Sequence, residues 1–120
     1  MKFTERLRKN DDFRKAYREG KSCGNDKLVL FACPNKLEVN RFGVSVSKKV
    51  GNSVVRHRVK RLFKEAYRLR EEEFRSGLDI VVLARPGAAG KSFSQLDEAL
   101  MKAVRRLRIA GREKDFSERD

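Results

Sequence analysis

The sequence predicts an α/β chain in which helices pack on a sheet, and three observations carry that prediction. Leu78 to Ala84, L-D-I-V-V-L-A, is nearly continuously apolar and rich in β-branched residues, the pattern of a strand covered on both faces. Arg41 to Lys48 alternates instead, with Phe42, Val44 and Val46 on one side and Gly43, Ser45 and Ser47 on the other. Between these two stretches, Val55, Val59, Leu62, Ala66 and Leu69 recur at steps of four, three, four and three, which is one stripe of an α-helix.

The other elements follow in chain order. Asn10-Asp11-Asp12 is a helix N-cap signal, Phe13, Ala16 and Tyr17 share one face after it, and Gly20 stands where the helix stops, giving a first helix from Asp11 to Glu19. Lys27 to Cys33 (K-L-V-L-F-A-C) reads as a strand closed by the Pro34-Asn35 turn, and Lys21 to Asn25 is expected to extend it or pair beside it. The small residues Gly43, Ser45 and Ser47 leave one side of the alternating strand open to close approach. Gly51-Asn52-Ser53 ends that strand and caps the long helix. Arg85 to Gly90 reads as loop, and Ser94 is the expected cap of a last helix whose stripe is Leu96, Leu100, Ala103, Val104 and Leu107, ending at Gly111. The order is α-β-β-β-α-β-α.

At 120 residues with 39% apolar content and eight Phe, the chain is long enough to bury about two thirds of its unfolded surface as one domain, residues 1–111. Residues 112–120 carry mixed charge and one Phe and are expected to be a disordered tail. Thirty basic residues against seventeen acidic give a net charge of +13, which points to nucleic acid before membrane or small-molecule ligands. The longest apolar runs are too short to span a bilayer, and the charged N-terminus has no signal-peptide core, so a cytoplasmic location is expected. Cys23, Cys33 and the single His57 make no metal-ligand set, so no protein-bound metal or cofactor is expected, and both cysteines read as reduced, Cys33 as packed.

Charge on the long helix has one sign. From Arg56 to Arg70 there are seven Lys or Arg and one acid, Glu65, and Arg56, Lys60, Lys64 and Arg68 recur at steps of four. Solvated helices normally interleave acids, because like charges one turn apart repel by a few tenths of a kcal/mol. The pattern calls for an anionic partner.

Catalytic chemistry finds no support. Ala88 to Ser92, A-A-G-K-S, mimics the end of a phosphate-binding P-loop, but Arg85 stands where the motif needs Gly, and Pro86 removes an amide that would cradle phosphate. Asp11-Asp12 sit where a helix cap favours acids, and Glu71-Glu72-Glu73 lie at a helix end near Arg68 and Arg75, which accounts for both groups without metal chemistry. His57, between Arg56 and Arg58, lacks an acidic orienting partner and reads as a contact residue rather than a base. Phe13, Tyr17 and Phe31 fit either a core or the wall of a shallow cleft for unstacked bases, beside the face carrying Ser45 and Ser47.

The sequence closely resembles the protein subunit of bacterial ribonuclease P. The resemblance runs through R-L-R-K-N-D-D-F-R-K-A-Y-R-E-G-K-S at Arg6 to Ser22, F-G-V-S-V-S-K-K-V-G-N-S-V-V-R-H-R-V-K-R-L-F-K-E at Phe42 to Glu65 and D-I-V-V-L-A-R at Asp79 to Arg85. It implies a two-layer α+β sandwich like the second domain of ribosomal protein S5, with a left-handed β-α-β crossover, an exception to the usual hand. It further implies an RNA-binding subunit that assists a catalytic RNA in removing the 5′ leader of precursor tRNA, with magnesium held mainly by the RNA and no catalytic residue on the protein. Carried over by position, Arg56, Arg58, Lys60, Arg61 and Lys64, with Lys48, Lys49 and Asn52 at the helix start, would contact the catalytic RNA. Phe13, Tyr17 and Phe31, with Ser45 and Ser47, would form the leader cleft. His57 stands where the family usually has Asn, which keeps a hydrogen-bonding contact but not an amide's paired donor and acceptor. The alternative is a structural ribosomal or other RNA-binding protein with no role in tRNA processing.

Overall fold

In a computed structural model, residues 4–109 form a five-stranded sheet with three helices; the expected tail at 112–120 lies outside the described residues, and the last helix ends at Leu107 rather than Gly111 because Arg108 turns into the left-handed conformation and caps it. The elements are β1 (Thr4–Arg6), α1 (Asn10–Glu19), β2 (Lys21–Gly24), β3 (Leu28–Pro34), β4 (Asn40–Val46), α2 (Ser53–Leu69), β5 (Leu78–Ala84) and α3 (Phe93–Leu107), with short 3-10 turns at Glu71–Glu73 and Pro86–Ala88. Across the sheet the order is β1-β4-β5-β3-β2. The β-branched run at β5 is therefore the central strand, parallel to β4 and antiparallel to β3, and six of its seven residues are buried.

β4, α2 and β5 form the expected parallel β-α-β crossover between adjacent strands. Both α2 and α3 cover the sheet face carrying Leu28, Leu30, Phe42, Val44, Ile80 and Val82, and this layer holds the main core. α1 lies on the opposite face, its Ala16 buried with Leu7 and Val81, and Phe13 and Phe31 pack at the border of that smaller cluster.

β1 is absent from the sequence reading. Its three residues pair parallel with Asn40 to Phe42, and Leu7 N–H extends the ladder by donating to Phe42 O at 2.9 Å. β4 ends at Val46 rather than Lys48, because the chain turns at once, with Val50 N–H donating to Ser47 O at 3.1 Å and Val50 buried. The stripe of α2 is rotated from the expected one. Val59, Phe63, Ala66 and Tyr67 are buried, Val55 and Leu62 flank them, and Leu69 is 58% exposed. The ring of Tyr67 stacks on Phe42 with centroids 4.2 Å apart and leans on Phe74 at 4.8 Å, while its hydroxyl meets Thr4 at 2.7 Å.

Two caps also differ. α1 begins at Asn10 with Lys9 as a cap that makes no side-chain bond, and Asp12 turns instead towards Arg41. α3 is capped by Ser92, not Ser94, because Gln95 three residues on completes a capping box: Ser92 Oγ accepts from Gln95 N–H at 3.2 Å and Gln95 Oε1 accepts from Ser92 N–H at 3.0 Å.

Candidate nucleic-acid interface

Aromatic residues of α1 gather over the open end of β4. Phe13 and Tyr17 lie one helical turn apart with ring centroids 6.5 Å apart, and Phe31 of β3 meets Tyr17 edge-on at 5.0 Å. Tyr17 is 36% exposed. The Phe13 ring rests directly on Gly43, where a Cβ would come within 2.5 Å of its Cζ, so glycine is required there by close packing. The bare strand surface at Gly43 is thus filled by Phe13, and the opening shifts to Ser45.

Because β1 stops opposite Phe42, the rest of β4 is a free edge with α1 on one side and α2 on the other. A cavity of about 420 Å³ lies there. α1 supplies Asn10, Phe13, Arg14 and Tyr17, β4 supplies Val44, Ser45 and Val46, and α2 supplies Lys60. A second cavity of about 350 Å³ continues along the same edge, sharing Phe13, Val44 and Lys60 and adding Arg6, Arg8 and Lys64. Phe31 lines neither and backs Tyr17 from the sheet, while Ser47 sits exposed in the turn after β4, outside both. Four of the five expected cleft residues therefore belong to one constellation, and Ser47 does not, since the strand that would have aimed it ends one residue earlier.

α2 distributes its cations over three directions. Lys60 and Lys64 flank the buried stripe on the β4 side and enter the cleft. Partial burial, then the positive charges of Arg6 and Lys60, push the Lys64 amine below the usual lysine range. Arg58 leans the other way, donating to Lys91 O at 2.9 Å, and Arg56 folds back to donate from Nε to Gly51 O at 3.1 Å. His57 and Arg61 are exposed on the outermost side, and Lys48 and Lys49 are exposed in the turn before the helix. Asn52 is the N-cap, its Oδ1 accepting from Val55 N–H at 3.0 Å, so its side chain serves the start of the helix.

Arg6, Arg8 and Arg14 were not singled out from the sequence. T-E-R-L-R has the alternation of a strand, with Leu7 buried and Arg6 and Arg8 exposed, but three paired residues are too short a run to stand out. The carboxylates nearest the cleft are already occupied. Arg41 holds Asp79 with two bonds, 2.7 and 2.6 Å, and reaches Asp12 at 3.3 Å. Among the described residues no three of His, Cys, Asp and Glu stand close enough to share a metal ion. In the P-loop-like stretch the amides of Ala88, Ala89 and Lys91 donate to Arg85, Pro86 and Ala88 O within the turn, and that of Ser92 donates to Gln95 Oε1 in the capping box.

A family profile described as Ribonuclease P matches residues 1–108. The chain belongs to the ribonuclease P protein family. It is 49% identical to the ribonuclease P protein component of Lachnoclostridium phytofermentans, over 88% of this chain and 91% of that one, and 47% identical to that of Clostridium botulinum strain Langeland, over 87% and 95%. Among solved structures, the Staphylococcus aureus RNase P protein superposes with a TM-score of 0.81 at 33% identity, covering 88% of this chain and 97% of that one. The Thermotoga maritima RNase P protein gives 0.74 at 31% identity, covering 82% and 93%. Family membership and fold thus agree with the expectation drawn from the three sequence blocks.

Proposed function

We propose that this chain is the RNA-binding, non-catalytic protein subunit of a bacterial ribonuclease P, and that its two cationic surfaces divide the work. The outer side of α2, with His57, Arg58 and Arg61 and the turn carrying Lys48 and Lys49, would lie on the catalytic RNA. The cleft along β4 would take the 5′ leader of precursor tRNA, single-stranded nucleotides whose bases stack on Phe13 and Tyr17. The observation that carries this reading is the position of Lys60. It lines the aromatic cavity and also belongs to the basic helix, so a phosphate it holds sits within reach of a base stacked on Tyr17.

Phosphate contacts set position and register, while the aromatic wall accepts any base, which suits a leader of varied sequence. Magnesium is assigned to the RNA, a reading supported by the pairing of both Asp12 and Asp79 with Arg41. The protein would act in the cytoplasm, where precursor tRNA is made. A purely structural ribosomal role would leave the cleft without a ligand.

Reconstitution with a bacterial ribonuclease P RNA at low magnesium tests the proposal. Adding the chain should restore leader removal and tighten precursor binding. Equal cleavage with and without it, or cleavage by the repurified protein alone, would overturn the assignment.

A further inference from the structure

On the edge of the sheet opposite the cleft, β2 and the C-terminal half of α3 enclose a groove of about 360 Å³. Cys23, Gly24 and Asn25 form one side, and Lys102, Arg105 and Arg106 with Ala103 form the other. All three cations are exposed, and none makes an ion pair among the described residues. Carboxylates on the bordering segments are few. Asp26 is paired with Lys27 at 3.3 Å, Asp97 with Arg70 at 2.9 Å, and Glu98 lies one turn before Lys102.

Cations near a helix C-terminus complement its dipole, but that effect fades within the last turn, and Lys102 lies more than a turn before Leu107. The dipole therefore accounts for Arg105 and Arg106 but not for Lys102 beside them. Among the described residues β2 is also the edge strand of the sheet on this side. We propose that this groove is a second RNA site, which takes the phosphodiester backbone of a segment of the RNA partner other than the one at α2. Its lining holds no aromatic ring, in contrast to the cleft, so it grips phosphate without stacking bases and without sequence preference. Three strands, β5, β3 and β2, step away from β4, so β4 and β2 stand about 14 Å apart, the two sites open at opposite edges of the sheet, and one protein can tie two RNA segments together. This inference rests on the RNA-binding reading above.

The full-length triple variant Lys102→Ala, Arg105→Ala, Arg106→Ala should bind ribonuclease P RNA with a flatter dependence on salt. Each lost phosphate contact removes about 0.7 to 0.9 from the log-log slope, so three remove about 2. In the unsubstituted chain, a photo-cross-linker on Cys23, half-buried in the groove while Cys33 is buried, should capture RNA, and the triple variant should lose the cross-link. Circular dichroism checks that the fold is kept. An unchanged slope and no Cys23 cross-link, with Arg56→Ala plus Arg58→Ala still flattening the slope, would overturn the groove and leave the α2 reading intact. No salt-dependent RNA binding by the unsubstituted chain would overturn both.

Discussion

The two faces of the sheet use the same kinds of residue for opposite ends. Under α2 and α3, Phe42, Phe63 and Tyr67 are completely or almost completely buried and the Tyr67 hydroxyl is bonded to Thr4, so the aromatics there supply stability. Under α1, Phe13 and Phe31 are only half-buried and Tyr17 is exposed, around a core cluster of Leu7, Ala16 and Val81. A single ten-residue helix cannot cover a face that two longer helices cover on the other side. What it leaves bare is the cleft, so aromatic surface at this edge is available to a ligand because the layer above it is incomplete.

The comparison breaks first at stability. Phe63→Ala should cost about 3–5 kcal/mol, as removal of a fully buried ring does, and should lower RNA binding and leader binding together through loss of fold. Urea unfolding checks the size. A cost of less than 1 kcal/mol would mean that the α2 side is not the core that holds the sheet.

Next comes the link between α1 and the sheet. Arg41 pairs with Asp79, whose side chain is 6% exposed, and also reaches Asp12 in the first turn of α1, one residue before Phe13. Arg41→Gln leaves Asp79 with one remaining side-chain bond, from Asn35 Nδ2 at 3.0 Å, and should cost about 3 kcal/mol, the low end for a broken buried pair because Arg41 is itself partly exposed. It should also reduce precursor binding more than catalytic-RNA binding, since α1 loses an anchor and α2 does not. Asp12→Asn separates the two effects: stability should fall by about 1 kcal/mol or less, in line with a partly exposed pair, while leader binding still drops. Unchanged leader affinity in both variants would show that the position of α1 does not set the cleft.

Elements whose signal is local were legible in the sequence. β5 announces itself by a β-branched run, and α3 by its stripe and by the S-x-x-Q spacing of Ser92 and Gln95, although the nearer Ser94 drew the cap assignment. What was not legible depends on partners distant in sequence. β1 exists only because Asn40 to Phe42 offer it an edge. Gly43 looked like open surface and is covered by a ring thirty positions earlier. The aliphatic stripe of α2 points to Leu69, whereas Phe63 and Tyr67 are what the sheet buries, and Leu69 stays exposed. For the cleft, residue types and their grouping were readable, while the sharing of Lys60 and the arrival of Arg6 and Arg8 required the fold.

The measurement that bears most directly on the account is binding by Tyr17→Ala holoenzyme to precursors with progressively shorter leaders, set beside mature tRNA. Tyr17 is exposed enough that truncation should cost about 1 kcal/mol or less in stability, so the binding effect can be read without unfolding. Full-leader precursor should bind about 1–3 kcal/mol more weakly than to the unsubstituted holoenzyme, the deficit should vanish as the leader is removed, and mature tRNA should bind unchanged. Equal losses for precursor and mature tRNA would contradict the cleft and return Phe13, Tyr17 and Phe31 to the role of a thin core.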